Sequence, residues 1–185
     1  MPPLLAPPPG AARPTSDGAR PKCRPELPAR RTLPIRAWSK RERMMDEAEH
    51  GTDDGTIYGA TIPFARLCGI EALEVVEGRT RLRLALGPQH GNNLGIAHGG
   101  ILCTLLDIAM GTVARLTAGR PVVTLDMQTR FLSPGHGVLL AEGRVARAGQ
   151  SILFCDAEIC DEAGRVVATS TGVFKPVGVK EQAKA

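Results

Sequence analysis

Aromatic side chains are scarce in this 185-residue chain: one Trp, one Tyr and four Phe, 3% of the residues. A core built on large rings is therefore excluded, and the interior must be packed by aliphatic side chains. Any ligand pocket would be aliphatic too, which leaves both aryl and medium-chain groups open as ligands. Cysteine is equally uninformative as a framework. Cys23, Cys68, Cys103, Cys155 and Cys160 make an odd number, and none forms a CxxC pair. Disulfide scaffolds and zinc sites are thus poorly supported, no metal is expected, and a reducing cytoplasm fits best. No apolar run reaches the roughly 18 residues that argue for a membrane span. Leu4 and Leu5 meet Pro7, Pro8 and Pro9 at once, so no signal-peptide apolar region forms.

The formal charge of +4 invites an anionic partner, but the excess is local. Arg13, Arg20, Lys22, Arg24, Arg30, Arg31, Arg36, Lys40, Arg41 and Arg43 crowd the first 43 residues. Without aromatic interleaving or a recognition motif, a solvated tail explains them better than nucleic-acid binding. Residues 1–40 also carry ten of the fifteen prolines. Such a segment cannot bury enough surface to offset its ordering entropy. Residues 1–55 are therefore expected to be a disordered tail, with a short helix possible after residue 41. Met44 or Met45 would also open a plausible chain. A single domain is expected over 56–178, its clearest elements starting near Thr61, followed by a flexible tail over 179–185.

Thr61 to Leu67 reads as an entry turn or short helix, and Ile70 to Val76 as a first strand. Thr80 to Leu86 alternates, with Leu82, Leu84 and Leu86 on one face and Arg81 and Arg83 on the other, as in a half-buried strand. Residues 98–117 switch period: Leu102, Leu105, Leu106, Ala109 and Val113 fall on one helical stripe, stopped by Gly119 and Pro121. Strand patterns return at 122–131, 138–145, 152–160 and 166–174. Short loops between strands imply antiparallel neighbours, and a lone amphipathic helix must lay its apolar face on the sheet. The fold class is thus α+β: a curved antiparallel sheet wrapped around one long central helix.

The densest chemical signal is HGNNLGIAHGGILCTLLDIA, residues 90–109. Gly99 and Gly100 leave the backbone uncovered at a helix N-terminus, where free N–H groups and the macrodipole suit a developing oxyanion. The same glycines could simply permit a tight loop. Asp107 favours chemistry: a carboxylate between Leu105, Leu106, Ile108 and Ala109 is usually paired or faces a cavity. It could serve as nucleophile or general base; a salt bridge or surface position is the structural alternative. Eight residues of helix separate Gly99 from Asp107 by about 12 Å. One chain cannot bring both to one carbonyl, whereas two antiparallel helices across a two-fold axis could. If both groups are catalytic, a symmetric dimer with two composite sites follows.

These motifs, His90-Gly91-Asn92, Gly95-Ile96-Ala97-His98-Gly99-Gly100 and Leu105-Leu106-Asp107-Ile108-Ala109, together resemble the PaaI-like branch of the hotdog-fold acyl-CoA thioesterases. The resemblance covers about residues 61–177. It implies the hotdog fold, acyl-CoA as substrate, no cofactor, and a homodimer or homotetramer. It also implies that Asp107 attacks the thioester or activates water and that the Gly99 amide polarises the carbonyl. Asn92 would hold substrate or water. Thr124 stands where relatives often carry Ser, and would orient the water. His98 and His90 are expected to brace the loop or line the substrate, with Gly100 beside them. Cys103 and Met110, one turn from Asp107, would line the acyl pocket or pack the core. Asp126 and Arg130 are expected on the strand face of Thr124. Two other readings carry less: a hotdog hydratase or dehydratase, which would use an acid–histidine pair, and a non-catalytic acyl-CoA-sensing domain.

Overall fold

The computed structural model describes residues 56–73 and 78–178. The expectations for the tails at 1–55 and 179–185, and for the end of the first strand at 74–77, lie outside the described residues.

A two-stranded hairpin, β1 (Thr56–Ile57) and β2 (Ala60–Thr61), opens the described chain. It lies ahead of Thr61, near which the clearest elements are expected to start, and within the expected span of 56–178. Its turn holds Tyr58 at φ 47 followed by Gly59 at φ 78, and two consecutive positive φ values suit the twist of a tight hairpin. Ile57 is fully buried. A short helix, α1 (Pro63–Leu67), starts on Pro63, whose fixed φ and missing N–H suit a first helical position.

Six further strands form one antiparallel sheet: β3 (Ile70–Ala72), β4 (Thr80–Ala85), β5 (Val122–Phe131), β6 (Val138–Ala148), β7 (Leu153–Asp161) and β8 (Val166–Pro176). Their order is β3-β4-β6-β7-β8-β5. The 20-residue helix α2 (Gly99–Ala118) packs on this sheet. Its buried stripe, including Leu102, Leu105, Leu106, Ala109 and Val113, meets Leu82, Leu84, Leu139, Ile159 and Phe174 in one core. By length and composition alone α2 could cross a bilayer, but its apolar side is buried within the protein.

The helix approaches the sheet closely at Gly143. A Cβ there would stand 2.4 Å from the Ala109 carbonyl oxygen, so only glycine fits. The buried Thr80 hydroxyl donates to that same carbonyl at 2.8 Å. At the other end of α2, Gly119 adopts φ 65 and its N–H donates to the Arg115 carbonyl, closing the helix. The Arg115 guanidinium donates to the carbonyls of Ile57 and Tyr58, pinning the hairpin to the helix.

The opposite face of the sheet is charged. Arg79 and Arg81 both pair with Glu142, Arg83 with Glu71, and Arg144 with Asp156. This is the polar side of the alternation already visible in Arg81 and Arg83.

Strand β5 breaks its own alternation. Thr124 lies opposite Phe174 and Asp126 opposite Val173, so Leu125 is the extra residue of a β-bulge. Phe174, Gly172, Ser170 and Ala168 of β8 face the helix. Their partners therefore face it too: Thr124 before the bulge, then Met127, Thr129 and Phe131 after it. Asp126 and Arg130 are turned to the outer face. The expectation that they share a face with Thr124 is corrected, because strict period-two counting fails across a bulge.

Candidate active site

The loop from Gly87 to His98 is braced by backbone hydrogen bonds, among them Asn92 N–H to the Ile96 carbonyl and His98 N–H to the His90 carbonyl, and by its own side chains. His90 is buried; its Nδ1 accepts from the Gly87 N–H at 2.9 Å, which places the ring proton on Nε2, beside the Gln89 amide. Asn92 Oδ1 accepts from the N–H groups of Leu94 (2.8 Å) and Ile96 (3.3 Å). Its carboxamide oxygen is thus spent on the loop, and its NH2 group is what remains to offer a ligand. A cleft of about 270 Å3 opens beside this loop, lined by His90, Asn92, Ile96, Gly135, His136 and Gly137 among others. Asp107 and Thr124 are not among its walls.

His98 is the N-cap of α2. Its Nδ1 accepts from the Gly100 N–H at 2.9 Å, and its carbonyl accepts from the N–H of Ile101 at 3.1 Å. The ring therefore braces the helix start and occupies the Gly100 donor. Among the described residues no partner takes the Gly99 N–H. The free donor at the positive end of the helix is thus Gly99, the residue singled out for the oxyanion.

Asp107 lies half-buried on α2, two turns further on. Thr124 of β5 donates its hydroxyl to Asp107 Oδ1 at 2.8 Å. The structure brings these two together from positions 17 residues apart. It does not bring Asp107 to Gly99, which sit on the same helix about 12 Å from one another by helix rise.

The remaining candidates divide. Cys103 is half-buried on α2, one turn before Asp107. Met110 is wholly buried; its Sδ and Cε stand 3.2 and 3.1 Å from where a Cβ on Gly172 would be, so within the protomer it is core. Among the described residues no three His, Cys, Asp or Glu side chains are grouped to hold a metal. Two features escaped the sequence reading. One is the Leu125 bulge. The other is Phe131, whose ring tip lies 3.3 Å from the position of a Cβ on Gly99. The sequence conceals the bulge: Val123, Leu125, Met127 and Phe131 all fall at odd positions and read as one unbroken alternation.

An antiparallel sheet packed on one long helix, with a carboxylate on that helix and a free amide at its N-terminus, defines the class: a hotdog fold. The thioesterase superfamily model matches residues 94–168. A Bacillus halodurans protein solved with CoA is 30% identical, with a TM-score of 0.58 over 64% of this chain and 78% of that one. The Escherichia coli PaaI protein from the phenylacetic acid degradation operon is 26% identical, with a TM-score of 0.60 over 63% and 86%. Human acyl-coenzyme A thioesterase 13 is 28% identical over 112 residues, 57% of this chain and 79% of that protein. The chain belongs to the PaaI-like hotdog thioesterases.

Proposed function

We propose that this protein hydrolyses acyl-CoA thioesters to a free acid and CoA, with Asp107 as nucleophile or general base. The observation that carries the reading is the Thr124–Asp107 hydrogen bond. It fixes one carboxylate oxygen and leaves the other to face a water or a carbonyl carbon. In the general-base course, Asp107 takes a proton from water as the oxygen attacks the thioester carbon. The carbonyl oxygen gains the charge and is held by the Gly99 N–H. Collapse then expels the CoA thiolate, which receives the proton. The Asn92 NH2 group would hold substrate or water. No metal or cofactor is required by these steps.

The two halves of this site belong to two chains in the proposal: the Gly99 amide of one protomer works with Asp107 of the partner subunit. The roughly 12 Å of helix between them supports this. So does β5, an edge strand of ten residues with Val123 and Leu125 exposed, a surface that favours pairing with a second copy. A homodimer is the smallest competent unit, and a dimer of two dimers is compatible with it. A hydratase would need a histidine working with the acid. Here His90 and His98 hold the loop and the helix cap instead. A cytoplasmic location is part of the proposal, on the ground that the cysteine spacing suits a reducing compartment.

A thiol-release assay over a panel of acyl-CoAs tests the reading. Hydrolysis of at least one thioester that is lost in Asp107→Asn is expected. Wild-type inactivity across the panel would overturn it.

A further inference from the structure

Phe131 stands at the end of β5, and its direction is set by the bulge at Leu125. Without the bulge, strict alternation from Thr124 would keep Asp126 and Arg130 on its face and turn position 131 to the outer one. With it, one strand supplies Thr124 to Asp107 and Phe131 to Gly99. The ring comes tip-first: Cζ, Cε1 and Cε2 lie 3.3, 3.6 and 3.9 Å from the position of a Cβ on Gly99. It fills the space a side chain at 99 would need, while the Gly99 N–H stays free. Yet the ring is 55% exposed, and the neighbouring Leu132 is 57% exposed. An inward-facing aromatic that packs on a glycine and still shows more than half its surface forms an apolar wall at the mouth of the donor.

A thioester carbonyl on the Gly99 N–H has two arms. One is the sulfur with its amide-rich pantetheine chain; the other is the acyl carbon. The apolar ring matches the acyl arm. We infer that Phe131 is a specificity-determining residue whose ring contacts the acyl group beside its carbonyl and favours substrates with an apolar or aryl group beyond the first two carbons. This rests on the thioesterase reading above.

The test compares acetyl-CoA, hexanoyl-CoA and phenylacetyl-CoA in wild type, Phe131→Ala and Phe131→Leu, with melting temperatures recorded for all three proteins. Phe131→Ala is expected to lower kcat/KM for hexanoyl- and phenylacetyl-CoA about tenfold while acetyl-CoA changes less than about threefold, the scale of a single pocket contact. Phe131→Leu keeps apolar bulk and guards against misfolding. It is expected to lose phenylacetyl-CoA turnover relative to hexanoyl-CoA. Equal losses on all three substrates would show that the ring only supports the helix start, and unchanged ratios would show that it touches no acyl group; either overturns the inference. If wild type cleaves none of the three, both the hydrolase reading and this inference fall. Wild-type activity with unchanged ratios removes the inference alone.

Discussion

The Thr124 hydroxyl donates to the Asp107 carboxylate across 2.8 Å, tying the edge strand of the sheet to the central helix. Neither residue has a neighbour in sequence that announces the contact. It arises because β5 runs back along α2 after the turn at Gly119.

Asp107→Asn is nearly isosteric and should leave melting temperature almost unchanged. It should lower kcat by about 10²-fold or more, the scale of a positioned acid–base group. Thr124→Ala should cost less, about five- to tenfold in kcat, as one hydrogen bond of roughly 1 kcal/mol is lost. Thr124→Ser should recover most of it. Wild-type turnover by Asp107→Asn would rule out the mechanism.

A shared site predicts rescue. Asp107→Asn chains mixed with Asn92→Ala chains should form heterodimers in which one site carries both lesions and the other neither. Activity should return to about half the wild-type level per mixed dimer, by two-fold symmetry. Co-expression of differently tagged chains verifies exchange. Confirmed heterodimers as inactive as either parent would place both groups in one chain.

Deletion of Leu125 should remove the bulge and leave the faces as they are, because Asp126 already lies opposite Val173 and Met127 opposite Gly172; only a small change in Tm is expected. Insertion of one alanine between Gln128 and Thr129 instead shifts the register by one residue and turns Thr129 and Phe131 outward, so a loss of cooperative unfolding or a large fall in Tm is expected. Leu125→Ala keeps the register and should change Tm little, as the side chain is 54% exposed. A larger fall in Tm for the deletion than for the insertion would show that Leu125 is not the extra residue of the strand.

Acid should weaken the turn at Asp161. Burial works against ionisation of its carboxyl, but hydrogen bonds from the Arg165 N–H and guanidinium, the Arg165 charge and the Ala163 N–H outweigh it and hold its pKa below the usual carboxylate range. A depressed folded pKa contributes stability above the unfolded value of about 3.9, and that contribution is lost as pH falls through the folded pKa. Asp161→Asn should therefore lower Tm by about 5 °C at neutral pH, the size of a roughly 1 kcal/mol change in a domain of this length, and by less near pH 2. A gap that stays constant with pH would contradict this assignment.

The proline-rich segment before the domain should be dispensable. A chain shortened to begin at Met44 is expected to keep wild-type Tm and turnover; a Tm lowered by more than about 5 °C would show that the segment contributes to the fold.

The sequence by itself determined the elements, because their signals are local. The 3.6-residue stripe from Leu102 to Val113 can only be a helix with one buried face, and Gly119 ends it where a left-handed residue is needed. The alternation of Leu82 and Leu84 with Arg81 and Arg83 fixed which face of β4 is wet. Asp107, Gly99 and the histidine-glycine loop were legible for the same reason, as residue types out of place in an apolar helix or gathered before its first turn. The tertiary structure decided what each group touches. It gave the Gly100 N–H to His98 and left the Gly99 N–H free, spent the Asn92 carbonyl on its own loop, and put Met110 in the core. It also inserted Leu125 as a bulge, turning Asp126 and Arg130 out and Phe131 onto Gly99. A bulge has no fixed residue signature, and hydrogen-bond partners 17 or more residues apart are chosen by packing of helix on sheet, so period and composition could not have supplied them.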